Sequence, residues 1–485
     1  VKGAAAEAEN PSSDFSLVLH LTDAGLSELD CSGELSHLCD SDDMYDLSKS
    51  NGEKFSPLLF LCRKQLRNIV REEENKVGII VQKFGGTSVG SVEKIHHVAN
   101  RVILEKEKGN DVIVVVSAMG KTTDELVRLA GEMTSRPEKR EMDMLLTTGE
   151  QMSMSLLAMA LQNRGYKSTS LTGWQAGIRT EAVFSNARIT EVKTKRVESL
   201  LAEGRVIVVA GFQGMDENGE ITTLGRGGSD TTAVALAAAM GADRCDIYTD
   251  VDGVYSTDPR YVKAARKLNG ISYDEMLELA NLGAGVLHPR AVEFAKNYSI
   301  KLTVRSSMEE TEGTLIEEDA PMEEHLVVRG VAFDKDIVRM TVVGIENELT
   351  GFPAVFSILA KHHVDVDIII QSKLDTGRVN LSFSIKESAL DETLQILSDN
   401  KEEIGYQEIE HETGLSKVSI VGSGMVSNPG VAAQMFSVLA DKKIQVKMVS
   451  TSEIKVSTVV DTENMIKAAN VIHESFGLDK PAVHS

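Results

Sequence analysis

The chain has 485 residues, enough for two to four domains with cores of their own. Apolar residues make up 42%, no run of about 18 uncharged apolar residues occurs, and 51 Lys and Arg against 73 Asp and Glu leave a net charge of −22, so neither a membrane span nor nucleic-acid binding by bulk electrostatics is expected. Cys31, Cys39, Cys62 and Cys245 show neither metal-ligand spacing nor a disulfide framework, and no cationic segment leads into a cleavable apolar stretch, so the expected compartment is the cytoplasm.

Residues 1–76 stand apart from the rest. They hold three of the four cysteines, carry net charge −7, and sustain a period of neither 2 nor 3.6. Their apolar pieces, "FSLVLHL" and "SPLLFLC", lack partners of similar regularity. The expectation is an N-terminal extension, disordered or foreign to the working protein.

From Val77 the pattern is regular. "VGIIVQK" reads as a buried strand and "SVEKIHHVANRVILEKEKG" as a helix, with its serine as N-cap and its glycine as the stop. "DVIVVVSAM" is a continuous β-branched run, suited to a parallel strand covered on both faces. Helices follow to residue 163, with Met142, Met144, Met152, Met154 and Met159 expected in the helix core. Strand "RVIVVAGFQG", helix "SDTTAVALAAAMG" and strand "RCDIYTD" continue the alternation, with Cys245 a buried small hydrophobe. The fold class is therefore α/β with a largely parallel sheet. Polar "RSSMEETEGTLIEEDAPMEE" (305–324) marks a boundary.

Beyond it lies an internal repeat. "VVGIENELTGFPAVFSILAKHHVDVDIIIQS" begins at Val342 and "IVGSGMVSNPGVAAQMFSVLADKKIQVKMVSTS" at Ile420. Each runs strand, polar turn with Pro, helix, strand, and is followed by a further strand and helix. The first unit closes with "IGYQEIEHE", the second lacks a closing strand, and "HLVVRGVAF" (325–333) can supply it, which makes the first unit an insertion in the second. "VSIVGSGMVSNPG" also suggests a dinucleotide turn, but Ser427 replaces the third glycine and too little chain follows.

Four stretches of the first domain carry the chemistry. "VQKFGGTSVGS" (81–91) matches neither G-x-x-x-x-G-K-[ST] nor G-x-G-x-x-G, and alone reads equally as a Gly-rich turn. "SAMGKTTDE" (117–125), "TTGEQ" (147–151) and "LGRGGSDTTA" (224–233) lie at strand ends or helix starts, where open α/β sheets bind ligands. "GRGGSD" offers unobstructed N–H groups, an arginine for a carboxylate or phosphate, and a helix N-terminus that favours anions. Four such stretches together point to a site for more than one anion. "YTDVDGVYSTDPR" (248–260) sets Asp250, Asp252 and Asp258 around a glycine without the spacing of a calcium loop.

These strings in this order, with the twin repeats behind them, resemble the aspartokinases, over roughly residues 77–485. "LTGWQAGIRTE", "LELANLGAGVLHPRAVEFAKNY" and "VSIVGSGMVSNPGVA" are similar to the Bacillus-type, lysine-sensitive members. The resemblance implies an amino-acid-kinase fold followed by two ferredoxin-like (ACT) α+β domains. The expected divisions are 1–76 extension, 77–318 catalytic domain, 319–336 linker and strand completing the second ACT domain, 337–410 first ACT domain and 411–485 second. It implies transfer of phosphate from ATP, with Mg²⁺, to L-aspartate, yielding 4-phospho-L-aspartate.

By the same resemblance Lys83 neutralises the transferring phosphoryl group and Asp230 orients Lys83 or the metal. Phe84, Gly85, Gly86, Ser117, Ser229, Thr249, Asp250, Tyr255, Ser256, Thr257, Asp258, Pro259 and Arg260 fall at the nucleotide. Thr123, Glu150, Arg226, Gly227, Gly228 and Ser229 fall at aspartate, with Arg226 on the α-carboxylate and Glu150 on the α-amino group. Asn428, Gly430, Val431, Ile444, Gln445, Thr451 and Ser452 fall at effector positions, as does the turn before "GFPAVF". L-Lysine is the expected inhibitor, with threonine as a candidate in concert. The expected assembly is a homo-oligomer, or α2β2 with a C-terminal fragment starting at Met322. Gly285 departs from the lysine that many relatives carry in "GAKVLHP", and His288 beside it is expected to be structural. The alternatives are a catalytically silent amino-acid sensor and a kinase of another small acid.

Overall fold

The computed structural model describes residues 78–283, 285–318, 326–374 and 377–480, together with three strands within residues 5–32. In the unit Val1–Ser56, β1 (Ala5–Glu9), β2 (Ser16–Thr22) and β3 (Gly25–Ser32) pair antiparallel in that order. The expectation that "FSLVLHL" lacks partners is thereby corrected, since its strand residues bond on both sides, as main-chain N–H and C=O groups require. "SPLLFLC" lies outside the described residues.

The second unit, Pro57–Ser485, opens with the elements that build the catalytic half. In chain order these are β4 (Ile79–Phe84), α1 (Val92–Glu107), β5 (Asp111–Val116), α2 (Thr122–Met133), α3 (Lys139–Gln162), β6 (Ser168–Leu171), β7 (Ile178–Thr180), β8 (Ile189–Val192), α4 (Lys195–Ala202), β9 (Val206–Ala210), β10 (Gln213–Met215) and β11 (Ile221–Thr223). They continue with α5 (Gly228–Met240), β12 (Arg244–Thr249), β13 (Gly270–Ile271), α6 (Tyr273–Asn281), α7 (Pro289–Asn297), β14 (Leu302–Ser306) and β15 (Thr314–Ile316).

Eight of these strands form one sheet in the order β13-β15-β14-β12-β4-β5-β9-β6, with only the β14–β15 pair antiparallel. The continuous apolar run of β5 is explained by burial on both faces. Val112, Val114 and Val116 pack with Ile95 and Val98 of α1 and Leu157 and Leu161 of α3, while Ile113 and Val115 pack with α5 on the other side. β7, β8, β10 and β11 form a separate four-stranded sheet.

Local geometry alters three expectations. The apolar run 205–214 is broken after Ala210, where Gly211 crowds Ser229 and Phe212 takes φ +70°, so its tail joins the smaller sheet. The sheet continues inside the polar stretch taken as a boundary, because β15 pairs back onto β14. Of the five methionines expected in the helix core, Met154 is buried whereas Met144, Met152 and Met159 are exposed. The helical period of α3 turns Asp143, Thr147, Glu150, Met154, Leu157 and Leu161 inward, which leaves the others outside.

The repeats follow as β16 (Gly330–Ile345), α8 (Glu348–Lys361), β17 (Ile369–Lys373), β18 (Val379–Lys386), α9 (Leu390–Asp399), α10 (Lys401–Ile404), β19 (Glu408–Val421), α11 (Val431–Asp441), β20 (Met448–Thr451), β21 (Lys455–Asp461) and α12 (Met465–Ser475). Their strands make one antiparallel sheet in the order β17-β18-β16-β19-β21-β20. Gly330–Asp334 pairs with Lys417–Val421, so the segment before the first repeat does supply a strand to the second. The segments read as separate strands are fused into β16 and β19, each serving both repeats. Irregular pairing marks each junction, with Asp336 at φ +59° and Gly414 at φ +71°. The first repeat differs from the second in that Pro353 lies inside α8, which begins at Glu348 with Asn347 as its cap; "GFPAVF" is therefore helical.

Candidate active site

Register places the glycine-rich stretches at one end of the large sheet. Phe84 stands level with Val116 and Tyr248, and Val116 with Ala210, so the segments after β4, β5, β9 and β12 emerge side by side. Backbone bonds lock the turns: Gly85 N–H donates to Tyr248 O at 3.2 Å, Ser117 N–H to Phe84 O at 3.1 Å, and Gly211 N–H to Val116 O at 3.0 Å. Gly86 lies so close to the neighbouring turn that a Cβ would stand 2.8 Å from Ala118 O. A side chain there would force the two turns apart.

Helix α5 aims its N-terminus at this end. Gly227 takes φ +68°, and a Cβ on it would overlap the His288 ring. His288 caps α7 by accepting from Arg290 N–H at 3.3 Å, and burial holds its pKa below the usual value. Gly211 leaves room for Ser229, whose side chain stands 2.8 Å from where a Cβ would be. One residue on, Asp230 meets Lys83 Nζ at 2.6 Å, with both side chains nearly buried. Arg226, before the helix, is exposed.

A second carboxyl group enters from α3. Glu150 is buried, and its Oε1 accepts from Ala118 N–H at 3.1 Å, while Oε2 is buried without a hydrogen-bond partner. Burial pushes its pKa up to about 7, against the lowering effect of its backbone hydrogen bonds. Ser153, one turn along, donates to Ser117 O at 2.7 Å and fixes the turn that carries Ala118. Sequence reasoning missed Ser153, although its i,i+3 spacing from Glu150 in "GEQMS" places it on the same helix face. It also missed Gly211, for which the signal was a glycine ending a buried run. Thr123 sits half-buried in the first turn of α2.

The segment 249–260 follows β12. Thr249 donates to Asp250 at 3.0 Å, and the Tyr255 hydroxyl donates to Asp252 at 2.9 Å. Arg260 forks onto both oxygens of Asp258 at 3.0 and 2.7 Å, which holds that carboxyl below its ordinary range. Pro259 is exposed beside them. Four residues expected at the nucleotide, Ser229 among them, carry buried side chains. Phe84 stacks on Tyr248 with centroids 4.6 Å apart, Thr257 is enclosed, and Ser256 bonds to His473. Their positions in the loop are legible from the motif, but their facing depends on the sheet and helices behind it.

The expected effector residues lie on the other sheet. Asn428, Gly430, Gln445, Thr451 and Ser452 are exposed, Val431 opens α11, and Ile444 is buried in the second repeat's core. Thr451 ends the edge strand β20, and Ser452 N–H donates to Lys455 O at 2.8 Å. Among the described residues no group of three or more His, Cys, Asp or Glu side chains is placed to hold a metal ion.

Comparison with known proteins agrees with this geometry. Residues 78–306 match the amino acid kinase family and residues 418–476 an ACT domain. An aspartokinase of Bacillus sp. (strain MGA3) is 68% identical over 409 residues, covering 84% of this chain and all of that one. The chain belongs to the aspartokinases. Aspartokinase 2 of Bacillus subtilis (strain 168) is 63% identical over 404 residues, or 83% of this chain and 99% of that aspartokinase. Among solved structures, E. coli aspartokinase III in complex with aspartate and ADP (R-state) has a TM-score of 0.68 at 27% identity, covering 82% of this chain and 99% of its own. The same enzyme with lysine and aspartate (T-state) has a TM-score of 0.65 at 28% identity, with the same coverage. The enzyme is thus an aspartate kinase, a phosphotransferase with a carboxyl group as acceptor, and the kinase-plus-ACT fold expected from the sequence holds.

Proposed function

We propose that the residues gathered at the sheet end phosphorylate the side-chain carboxylate of L-aspartate from ATP, in the roles the sequence suggested. A carboxylate is already ionised at neutral pH, so no general base is required. The barrier lies in bringing two anions into line, and catalysis reduces to positioning and charge neutralisation. Lys83 meets the transferring phosphoryl group, and Asp230 holds the ammonium at 2.6 Å in readiness. The N–H groups of the Gly85-Gly86 turn and of Ser229 at the start of α5 bind phosphate oxygens. Tyr255, Asp258 and Arg260 seat the nucleotide, and Arg226 forks onto the α-carboxylate of aspartate. Mg²⁺ carried on the ATP phosphates would supply neutralisation of phosphate charge, and Asp230 is the side chain that would reach it from the chain.

The observation that carries the amino-acid reading is Glu150. A buried carboxyl group with one satisfied and one unsatisfied oxygen lacks a cation, and the α-ammonium of aspartate supplies one. A plain diacid would leave that oxygen unpaired. ATP-dependent formation of aspartyl hydroxamate, with glutamate as the control acceptor, tests the assignment. Equal rates with both acceptors would overturn it.

We further propose 77–318 as the catalytic domain, 337–410 and 411–485 as ACT domains, and 319–336 as the segment that completes the second. L-Lysine inhibits at the exposed turn and edge strand of the second repeat, with threonine as a candidate in concert. This reading rests on the lysine carried by the T-state relative and on the resemblance to Bacillus-type enzymes. No described helix is long and apolar enough to cross a membrane, and the cytoplasm remains the proposed compartment.

A further inference from the structure

Ser256 lies in the proposed nucleotide loop, yet two of its hydrogen bonds come from the second repeat. Its Oγ meets Nε2 of His473 at 2.9 Å, across 217 residues of sequence, and both side chains are fully enclosed. Arg266 N–H donates to the same Oγ at 3.1 Å, which leaves the hydroxyl proton for the imidazole nitrogen. The main chain is held as well: Val331 N–H of β16 donates to Ser256 O at 2.7 Å. A Cβ at Gly330 would stand 3.0 Å from that same oxygen, so the strand passes as close as glycine allows.

The chain beyond the loop is drawn in further. Val262 is buried within the hydrophobic core of the second repeat, alongside Met435, Leu439 and Ile472. Tyr261 stacks edge-on against Phe333 at 5.4 Å, and Lys335 Nζ lies 4.7 Å from the Tyr261 ring centroid. Tyr255, read as a nucleotide contact, adjoins this anchored residue, and Asp258 lies two positions beyond it. Their positions therefore depend on where β16 and α12 hold Ser256, together with the bond from Ser256 N–H to Arg266 O at 2.8 Å.

We infer that His473 is a positioning residue for ATP: through Ser256 it fixes the nucleotide loop, so that the second ACT unit forms the back wall of the nucleotide site. The inference rests on the proposed assignment of residues 249–260 to the nucleotide. Burial also keeps the imidazole pKa below its ordinary value, in keeping with a neutral ring that accepts from the hydroxyl group.

The test uses the full chain with His473→Leu, His473→Gln, Ser256→Ala and the double variant Ser256→Ala/His473→Leu. Losing a buried hydrogen bond behind the loop should raise the KM for ATP by about tenfold. The KM for aspartate should stay within about twofold, because Glu150 and Arg226 stand on other elements. His473→Gln, which returns a polar group near the Nε2 position, should recover most of the ATP affinity. The double variant should be no worse than the poorer single one, as expected of partners in one contact. Should His473→Leu fail to fold, Ser256→Ala deletes only an oxygen and keeps the same readout. An ATP KM unchanged in Ser256→Ala, or ATP and aspartate constants rising together, overturns the inference while leaving wild-type aspartyl phosphate formation intact. Wild-type protein that forms no aspartyl phosphate overturns the proposed function itself.

Discussion

Lys83 and Asp230 meet at 2.6 Å in a nearly enclosed place, so each is the other's main compensation for lost water. Lys83→Ala should therefore lower kcat by about 10²-fold or more, since the transferring phosphoryl group loses its cation. It should also lower Tm, because Asp230 is left without its partner; a second change, Asp230→Asn, should restore part of that stability but no activity. Near-normal kcat in Lys83→Ala would sink the mechanism. Glu150 makes the opposite case, a carboxyl group whose folded pKa is raised to about 7 by burial. Between its ordinary value and that point the folded protein holds the extra proton, so stability falls as pH rises through this window, by roughly 3 kcal/mol in total, and levels off above it. Substrate binding runs the other way, because the aspartate ammonium needs the ionised form. The KM for aspartate should thus rise as pH drops below about 7, approaching tenfold per pH unit, and Glu150→Gln should show a high, flat profile instead. Parallel profiles in the two proteins would remove Glu150 from the substrate site.

Among the elements, β20 and β17 are the open edges of the six-stranded sheet, and open N–H and C=O groups invite a further strand. Thr451 closes β20 at the exposed turn near Ser452, while the groups proposed as catalytic sit at the end of the other sheet. Thr451→Ile or Ser452→Ala should weaken inhibition by lysine without changing kcat by more than about twofold, since widely separated sites act nearly independently. Lysine titration of steady-state activity reads this, and an enzyme indifferent to millimolar lysine and threonine would refute the regulatory proposal. Element boundaries also show where pattern and fold part. The apolar runs of β4, β5 and α5 and the serine cap of α1 are written in their own residues, because neighbours along the chain decide them. The fusion of two expected strands into β16 is different. Nothing between Phe333 and Ile337 forbids a turn, and pairing with β19 on both sides of the irregular junction keeps the chain in one strand.

For the whole chain, two outcomes concern what lies outside the kinase core. Protein beginning at residue 77 should keep full activity and lysine response, as measured by aspartyl hydroxamate formation; loss of soluble, active enzyme would give residues 1–76 a structural role. Met322, which lies outside the described residues, is read as an internal start. The unmodified gene should then yield a second product of about one-third length, visible on a gel and absent after Met322→Leu. β16 and β19 bind both repeats into one sheet, so such a product would hold all the strands it needs. If only the full-length chain appears, the α2β2 reading is wrong.

The motif strings around Lys83, Glu150, Arg226 and Asp230 were legible because glycine at a tight turn and charge beside it are demands made over a few residues. The strand-helix alternation around these strings was legible for the same reason, as was the pairing of Gly330–Asp334 with the second repeat, which a missing strand required, whereas the short strands of the smaller sheet and β13 to β15 were not. Which of those residues face a ligand was not. Ser256 turns toward His473, Phe84 into the core, and Met144, Met152 and Met159 to the surface, although each sits in a segment whose type was read from sequence. Facing is set by what packs against a segment from far along the chain. A contact such as Ser256 to His473 has no local signature, because burial and hydrogen-bond satisfaction are properties of the assembled core.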